Sequence, residues 1–368
     1  MEGPMTTRSV GSIAVLAISL YVLPGSAGAL GPEVPATRSL VDTVGFSHTA
    51  GQIQEVVRLS EEAESETLTG SPMKGPWVAA LCPHDDHVYA GRVYVHVMPG
   101  IQARTVLVVG VAHRARTWGI EDQLIFDAFD SWRGPFGPIR VSPVRDEILE
   151  HLAPEDYVVS NEFHAEEHSI EGLLPFLQHY NREAEIVPVL VPYMEWGRLD
   201  ELARRLADVL ADIAAERHWV LGQDLAILIS VDCVHYGDEG WGGKDYAPFG
   251  SDGRGYDLAV ARERDLIETH LAGSLHPAKL EALFLRLVDD EDVREYRITW
   301  CGRFSVPFGL DCQYHLSRAL DLEAPRGVLL RYGTSVELGR LALDHLGIGV
   351  TAPVSLHHWV GYAAVGYR

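Results

Sequence analysis

The chain has 368 residues, and 52 acidic against 30 basic side chains give it a formal net charge of −22. That balance argues against a nucleic-acid partner. Hydrophobic residues make up 47% and charged residues 22%, a globular composition that excludes disordered and collagen-like classes.

Residues 1–29 read as a secretory signal peptide: Arg8 precedes the apolar run Ile13 to Leu23, and Ala27-Gly28-Ala29 offers small residues for cleavage. The run is about 11 residues, short of the roughly 20 needed to span a bilayer. The expectation is therefore export to a periplasmic or extracellular compartment, with no stable membrane span after the leader is removed; the alternatives are an uncleaved anchor or, if translation starts later, as at Met5, and no leader is made, a cytoplasmic protein.

From Leu40 onward, apolar runs of strand length alternate with amphipathic stretches of helix length, the pattern of a single α/β domain. In chain order the spacing predicts a helix at Gln52 to Ala63 and strands at Trp77 to Leu81 and Thr105 to Val109. Helices follow at Ser142 to Leu152 and Ile170 to Tyr180, then a strand at Glu185 to Val191 and a helix at Leu199 to Ala215. A strand at Leu225 to Val231 leads to a surface loop over Gly237 to Tyr256. Helices at Asp257 to Ala272, Pro277 to Leu287 and Pro307 to Leu320 come next, then a strand at Val328 to Tyr332 and a last strand over His357 to Val365. Most of the strands are rich in Val, Ile and Leu, as expected of a mainly parallel central sheet flanked by helices.

Four clusters fall just after a predicted strand or at the start of a predicted helix, where open α/β sheets place ligands. Cys82-Pro83-His84-Asp85-Asp86-His87 puts two imidazoles and two carboxylates within one turn, a set suited to a divalent metal or to a hydrogen-bonded polar turn. Gly110-Val111-Ala112-His113 delivers one imidazole from a second strand. In Glu166-Glu167-His168-Ser169-Ile170-Glu171, the side chains of Glu167, His168 and Glu171 could support a site or move protons. Alternatively, Glu166 and Ser169 simply cap a helix. Asp232 and His235 stand three apart, a spacing at which a carboxylate can orient an imidazole for proton transfer. The four cysteines, Cys82, Cys233, Cys301 and Cys312, are too scattered for a disulfide framework or a paired zinc motif. Cys301 precedes a predicted helix, whose dipole would stabilise a thiolate able to ligate metal or act as a nucleophile; the alternative is a buried, inert thiol. A P-loop, a GxSxG elbow and an HExxH helix are all missing, so nucleotide-binding, serine-hydrolase and zincin readings lack support.

In this order, Pro83-His84, Tyr89-Ala90-Gly91, Gly110 to His113, Glu167 to Glu171, Pro188 to Val191, Ser230 with Asp232 and His235, and Cys301-Gly302-Arg303 resemble the Memo family, whose bacterial members are called AmmeMemoRadiSam system protein B. The resemblance implies a Memo-like domain over residues 40–368, with a fold like that of the class III extradiol (LigB-type) dioxygenases. It also implies a metal held by His84, His113 and Cys301, with His235 and Asp232 as the acid/base pair. Iron is the first expectation for the metal, with copper or zinc as alternatives. One departure stands out: the family usually reads Pro-His-Ala-Gly-Tyr where this chain reads Pro83-His84-Asp85-Asp86-His87. Either Asp85, Asp86 and His87 add ligands, or they form a polar lid over His84.

Three functions follow. The first is a non-haem metal enzyme with redox or dioxygenase-like activity, in which His235, Asp232, His168 and Glu171 are the catalytic candidates. The second is a module that binds a peptide or metabolite in the same pocket, as the animal relatives suggest with phosphotyrosine peptides. The third is metal buffering in the cell envelope.

Overall fold

The computed structural model describes Met1 and residues 36–70, 75–238 and 245–368. Apart from Met1, the leader-like stretch 1–29 lies outside the described residues, as does the middle of the Gly237 to Tyr256 loop. Residues Pro35–Arg368 form one compact unit.

Its core is a ten-stranded sheet: β1 (Ala79–Cys82), β2 (Thr105–Val111), β3 (Leu124–Phe126), β4 (Tyr157–Val159), β5 (Glu185–Val191), β6 (Leu225–Ser230), β7 (His235–Gly237), β8 (Gly273–Ser274), β9 (Arg326–Thr334) and β10 (His358–Tyr367). The spatial order is β8-β9-β10-β1-β6-β2-β5-β3-β4, with β7 paired to β10. Neighbours β1, β6, β2 and β5 run parallel, whereas β10 joins β1, and β3 joins β5, in antiparallel fashion. The sheet is thus parallel at its centre and mixed toward its sides. Every residue of β1, β2 and β6 is buried, which is why these strands read as unbroken apolar runs.

Helix Trp196–Arg217 shows a clear amphipathic pattern: Leu199, Leu202, Ala203, Leu206, Ala207 and Leu210 recur at helical spacing and are buried. It packs against helix Ser305–Ala319 on one face of the sheet. The predicted helix Ile170 to Tyr180 is instead a 3₁₀ turn, Glu171–Leu173, leading into helix Leu174–Tyr180. The predicted helix at Asp257 starts earlier, at Gly253, because the Asp252 side chain accepts a hydrogen bond from Gly255 N at 2.7 Å and caps it. A helix that the spacing did not predict, His87–Val97, begins within the first polar cluster and is buried along almost its whole length.

At the N-terminus, Thr37–Arg38 adds a parallel strand to the hairpin Ser131–Gly134 and Gly137–Arg140. Arg38 is buried, donates to the carbonyls of His164 and Glu167, pairs with Glu171, and lies 4.1 Å over the Trp132 ring.

Candidate metal centre

Sheet order explains why residues far apart in sequence meet. The parallel strands β1, β6 and β2 are neighbours, with Cys82 level with Ser230 and Val109 level with Ile229. Their C-terminal ends therefore open side by side, placing His84 after β1, Asp232 and His235 after β6, and His113 after β2. Cys301 comes from further along the chain. Val234 bridges to Trp300, His235 N donates to the Thr299 carbonyl at 3.0 Å, and Thr299 Oγ1 donates back to the His235 carbonyl at 2.5 Å. Gly302 follows because a Cβ there would stand 2.4 Å from Val231 Cγ2.

One ligand atom each from His84, His113 and Cys301 lies within 4.8 Å of the others. His84 and Cys301 are buried, while the His113 side chain is 25% exposed at the rim. Both imidazoles are oriented by their other nitrogen. Ser230 Oγ donates to the Ser169 carbonyl at 2.6 Å, so its 2.7 Å contact with His84 Nδ1 is one in which the ring donates. His113 Nδ1 lies 2.8 Å from Glu167 Oε1, and an ionised carboxylate can only accept. Each ring thus has its Nδ1 committed, which leaves Nε2, facing the thiol, as the nitrogen a metal would bind on displacing any proton there.

Glu167 is buried and nearly saturated: Oε1 also accepts from His168 N and Ser169 N, and Oε2 accepts from His113 N at 2.8 Å. Burial alone would raise its pKa, but His113, His168 and these N–H groups hold it far below the ordinary carboxylate range. Glu167→Gln removes the charge that holds the His113 ring and sets an amide NH₂ against at least one backbone donor. The expected result is a loss of metal affinity of about 10- to 100-fold with the fold retained, read by chelator competition.

The thiol sits among bases. His235 Nε2 is 3.0 Å from Cys301 Sγ, and Asp232 Oδ2 is 3.3 Å from His84 Nε2 and 4.0 Å from His235 Nε2. Burial would raise the Cys301 pKa, but His235, His113 and His84 pull it well below the ordinary thiol range. Burial would lower His235, yet the adjacent Cys301 and Asp232 push it up to about 9. The residue lies on a 3₁₀ turn, Cys301–Arg303, rather than at the start of the helix, so the imidazoles and not a helix dipole favour the thiolate.

These groups line a cavity of about 390 Å³ that also takes in Asp42, Phe46 and Tyr362. His168 lies on its wall, stacked 4.9 Å from His113 and paired with Asp42 at 3.3 Å. Four other sequence candidates have different partners. Glu171 accepts from Val41 N and Asp42 N and pairs with Arg38, which pins the N-terminal arm and uses the carboxylate outside the three-ligand group. His87 is fully buried, accepting from Ser47 N at 3.1 Å and donating through Nε2 to the Gly172 carbonyl at 2.9 Å, so neither nitrogen is free for a metal. Asp85 accepts from Tyr362 OH at 2.6 Å and Asp86 N at 2.6 Å. Asp86 accepts from Thr351 N at 2.7 Å, and burial beside Asp85 raises its pKa to about 7. The two aspartates form a polar wall of the cavity and do not join the converging ligand atoms.

Sequence reasoning missed Glu263. It is fully buried on helix Gly253–His270, and its Oε2 accepts from Val234 N at 3.0 Å and Trp300 Nε1 at 2.8 Å. One carboxylate therefore grips the residues directly before His235 and Cys301. The available signal was a charge at a core position, one helical turn from Ala259 and Ile267.

The Memo-like protein family model matches residues 51–341. A MEMO1 family protein of Aquifex aeolicus is 26% identical over 262 residues, covering 70% of this chain and 78% of its own length. A MEMO1 family protein of Pyrococcus horikoshii is 27% identical over 288 residues, covering 77% and 85%. One from Ignicoccus hospitalis is 26% identical over 299 residues, covering 79% and 82%. With three candidate ligands at the carboxyl edge of a parallel sheet centre and a family match over most of its length, this chain belongs to the Memo family.

Proposed function

We propose that the protein binds a divalent metal, iron before copper or zinc, through His84, His113 and Cys301, and acts on a small molecule by redox or dioxygenase-like chemistry. The observation that carries this reading is the pair of committed Nδ1 atoms: Ser230 and Glu167 engage both, so the two Nε2 atoms are the ones left to meet a metal beside the thiol. Three such ligands fit a borderline metal that keeps open coordination positions, and a metal so held supplies Lewis acidity or redox capacity.

The chain's own residues supply the rest. His235 Nε2, positioned by the Val234–Trp300 bridge and near Asp232, holds or releases a proton at the cavity wall. His168 forms a second imidazole edge, stacked on His113. The cavity volume of about 390 Å³ supports a small-molecule ligand. A cavity of that size is small for a phosphorylated peptide. The buffering reading is weakened because Asp85, Asp86 and His87 already have protein partners.

Stripped protein titrated with Co²⁺ without oxygen tests the site. Binding with a thiolate-to-cobalt band in the near ultraviolet is the expected result, and absence of that band in folded protein would overturn it. No helix among the described residues is long and apolar enough to cross a membrane. The leader-like residues 1–29 support export, which N-terminal sequencing of secreted protein checks: a start just after Ala29 is expected.

A further inference from the structure

A second group of ligand atoms lies in the packing between helices Trp196–Arg217 and Ser305–Ala319. Asp200 comes from the first helix, while Asp311 and His315, four residues apart on one face, come from the second. Asp311 has no solvent exposure, and among the described residues neither of its carboxylate oxygens has a hydrogen-bond partner. His315 Nε2 is likewise buried without a hydrogen bond. A carboxylate so placed is tolerated only when neutralised, by a proton or by a cation.

The distances favour a cation. His315 Nε2 is 3.4 Å from Asp200 Oδ1 and 3.6 Å from Asp311 Oδ2, and neither contact is a hydrogen bond. Ligand atoms each about 2.0–2.1 Å from a tetrahedral zinc stand about 3.4 Å apart. Arg204 pairs with the other Asp200 oxygen, Oδ2, which leaves Oδ1 turned toward His315. The Asp200 and His315 side chains are 25% and 18% exposed, so an ion can enter from that side.

We propose that Asp200, Asp311 and His315 form a second, thiolate-free site for a divalent cation such as Zn²⁺, which fastens these two helices together. Two carboxylates and an imidazole suit zinc or a similar borderline ion. The site is independent of the His84–His113–Cys301 reading. The rival is a proton shared between Asp200 and Asp311, consistent with an Asp311 carboxyl pushed up to about 8 by burial and by Asp200.

Stripped whole chain is titrated with Co²⁺ as wild type, Asp311→Asn, His315→Gln and Cys301→Ala. The expected result is about two equivalents in the wild type, with loss of one band-free equivalent in Asp311→Asn and in His315→Gln while the near-ultraviolet band persists. Zn²⁺ should raise the melting temperature of Cys301→Ala but not of Asp311→Asn combined with Cys301→Ala. Unchanged stoichiometry in both Asp311→Asn and His315→Gln would overturn the proposal in favour of the shared proton. Should Asp311→Asn fail to fold, the more peripheral His315→Gln carries the same test. A band missing from every variant, with the band-free equivalent still lost on His315→Gln, would sink the thiolate site and leave this one standing.

Discussion

Cys301→Ala is expected to abolish the thiolate-to-metal absorption band and to weaken metal binding at that site by more than about 100-fold, the upper end of what loss of a supporting group costs. The sulfur is the one anionic donor among the three ligand atoms, and the groups around it are arranged for charge: three imidazoles converge on it, with His235 Nε2 at 3.0 Å. His84→Ala should cost a similar amount, because it removes a buried donor whose orientation Ser230 fixes. Equilibrium dialysis of both variants beside His87→Gln separates ligands from neighbours. His87→Gln should keep its metal, since that ring is bonded to Ser47 and Gly172. As much metal bound by Cys301→Ala as by the wild type, or a loss only in His87→Gln, would contradict the assignment.

Glu64→Gln should cost about 3 kcal/mol at neutral pH and almost nothing in strong acid. Glu64 closes helix Ala50–Ala63 and is buried, accepting from Arg92 Nε at 2.6 Å, His96 Nε2 at 3.2 Å and Arg331 Nε at 2.9 Å. One carboxylate thereby joins that helix to helix His87–Val97 and to β9. Burial would raise its pKa, but His96 and Arg331 outweigh it and hold the group at about 2 instead of 4.5. A depressed pKa means that the stabilisation is complete above the unfolded value and is lost as pH falls from about 4.5 through about 2. A shift of that size corresponds to about 3 kcal/mol. Denaturant titrations of wild type and variant at pH 7 and at about pH 2.5 should show the gap closing; an equal gap at both would assign the loss to packing instead.

Much of the fold is legible in the chain because strands buried on both faces need unbroken apolar residues, as β2, β5 and β6 display. The sheet's mixed edges are not, since strand direction depends on pairing between distant segments such as Leu81 and Val365. Helix His87–Val97 escaped because it is buried all round, so its Val and Tyr residues carry no amphipathic period. The three ligand candidates could be named from the family resemblance, and the structure brings them together. What the extra polar residues after His84 do could not be read, because a His or Asp has the same letter whether it faces a cavity or a backbone carbonyl. Thus His87 bonds Gly172, and Glu171 holds Val41 and Asp42. Glu263 and Ser230 act through hydrogen bonds that only the assembled strand ends create.

The arm pinned by Arg38 and Glu171 carries Asp42 to the mouth of the cavity, where Phe46, Thr351 and Tyr362 complete the wall. All four of these wall residues lie outside 51–341, whereas His84, His113 and Cys301 lie inside it. The candidate ligands thus come from the family-matched stretch, while the wall is shared between Asp85, Asp86 and His168 inside it and the two terminal stretches outside it. Substitutions in the two terminal stretches can change which molecules gain entry while the donor set stays constant, so a screen for altered selectivity belongs in those stretches.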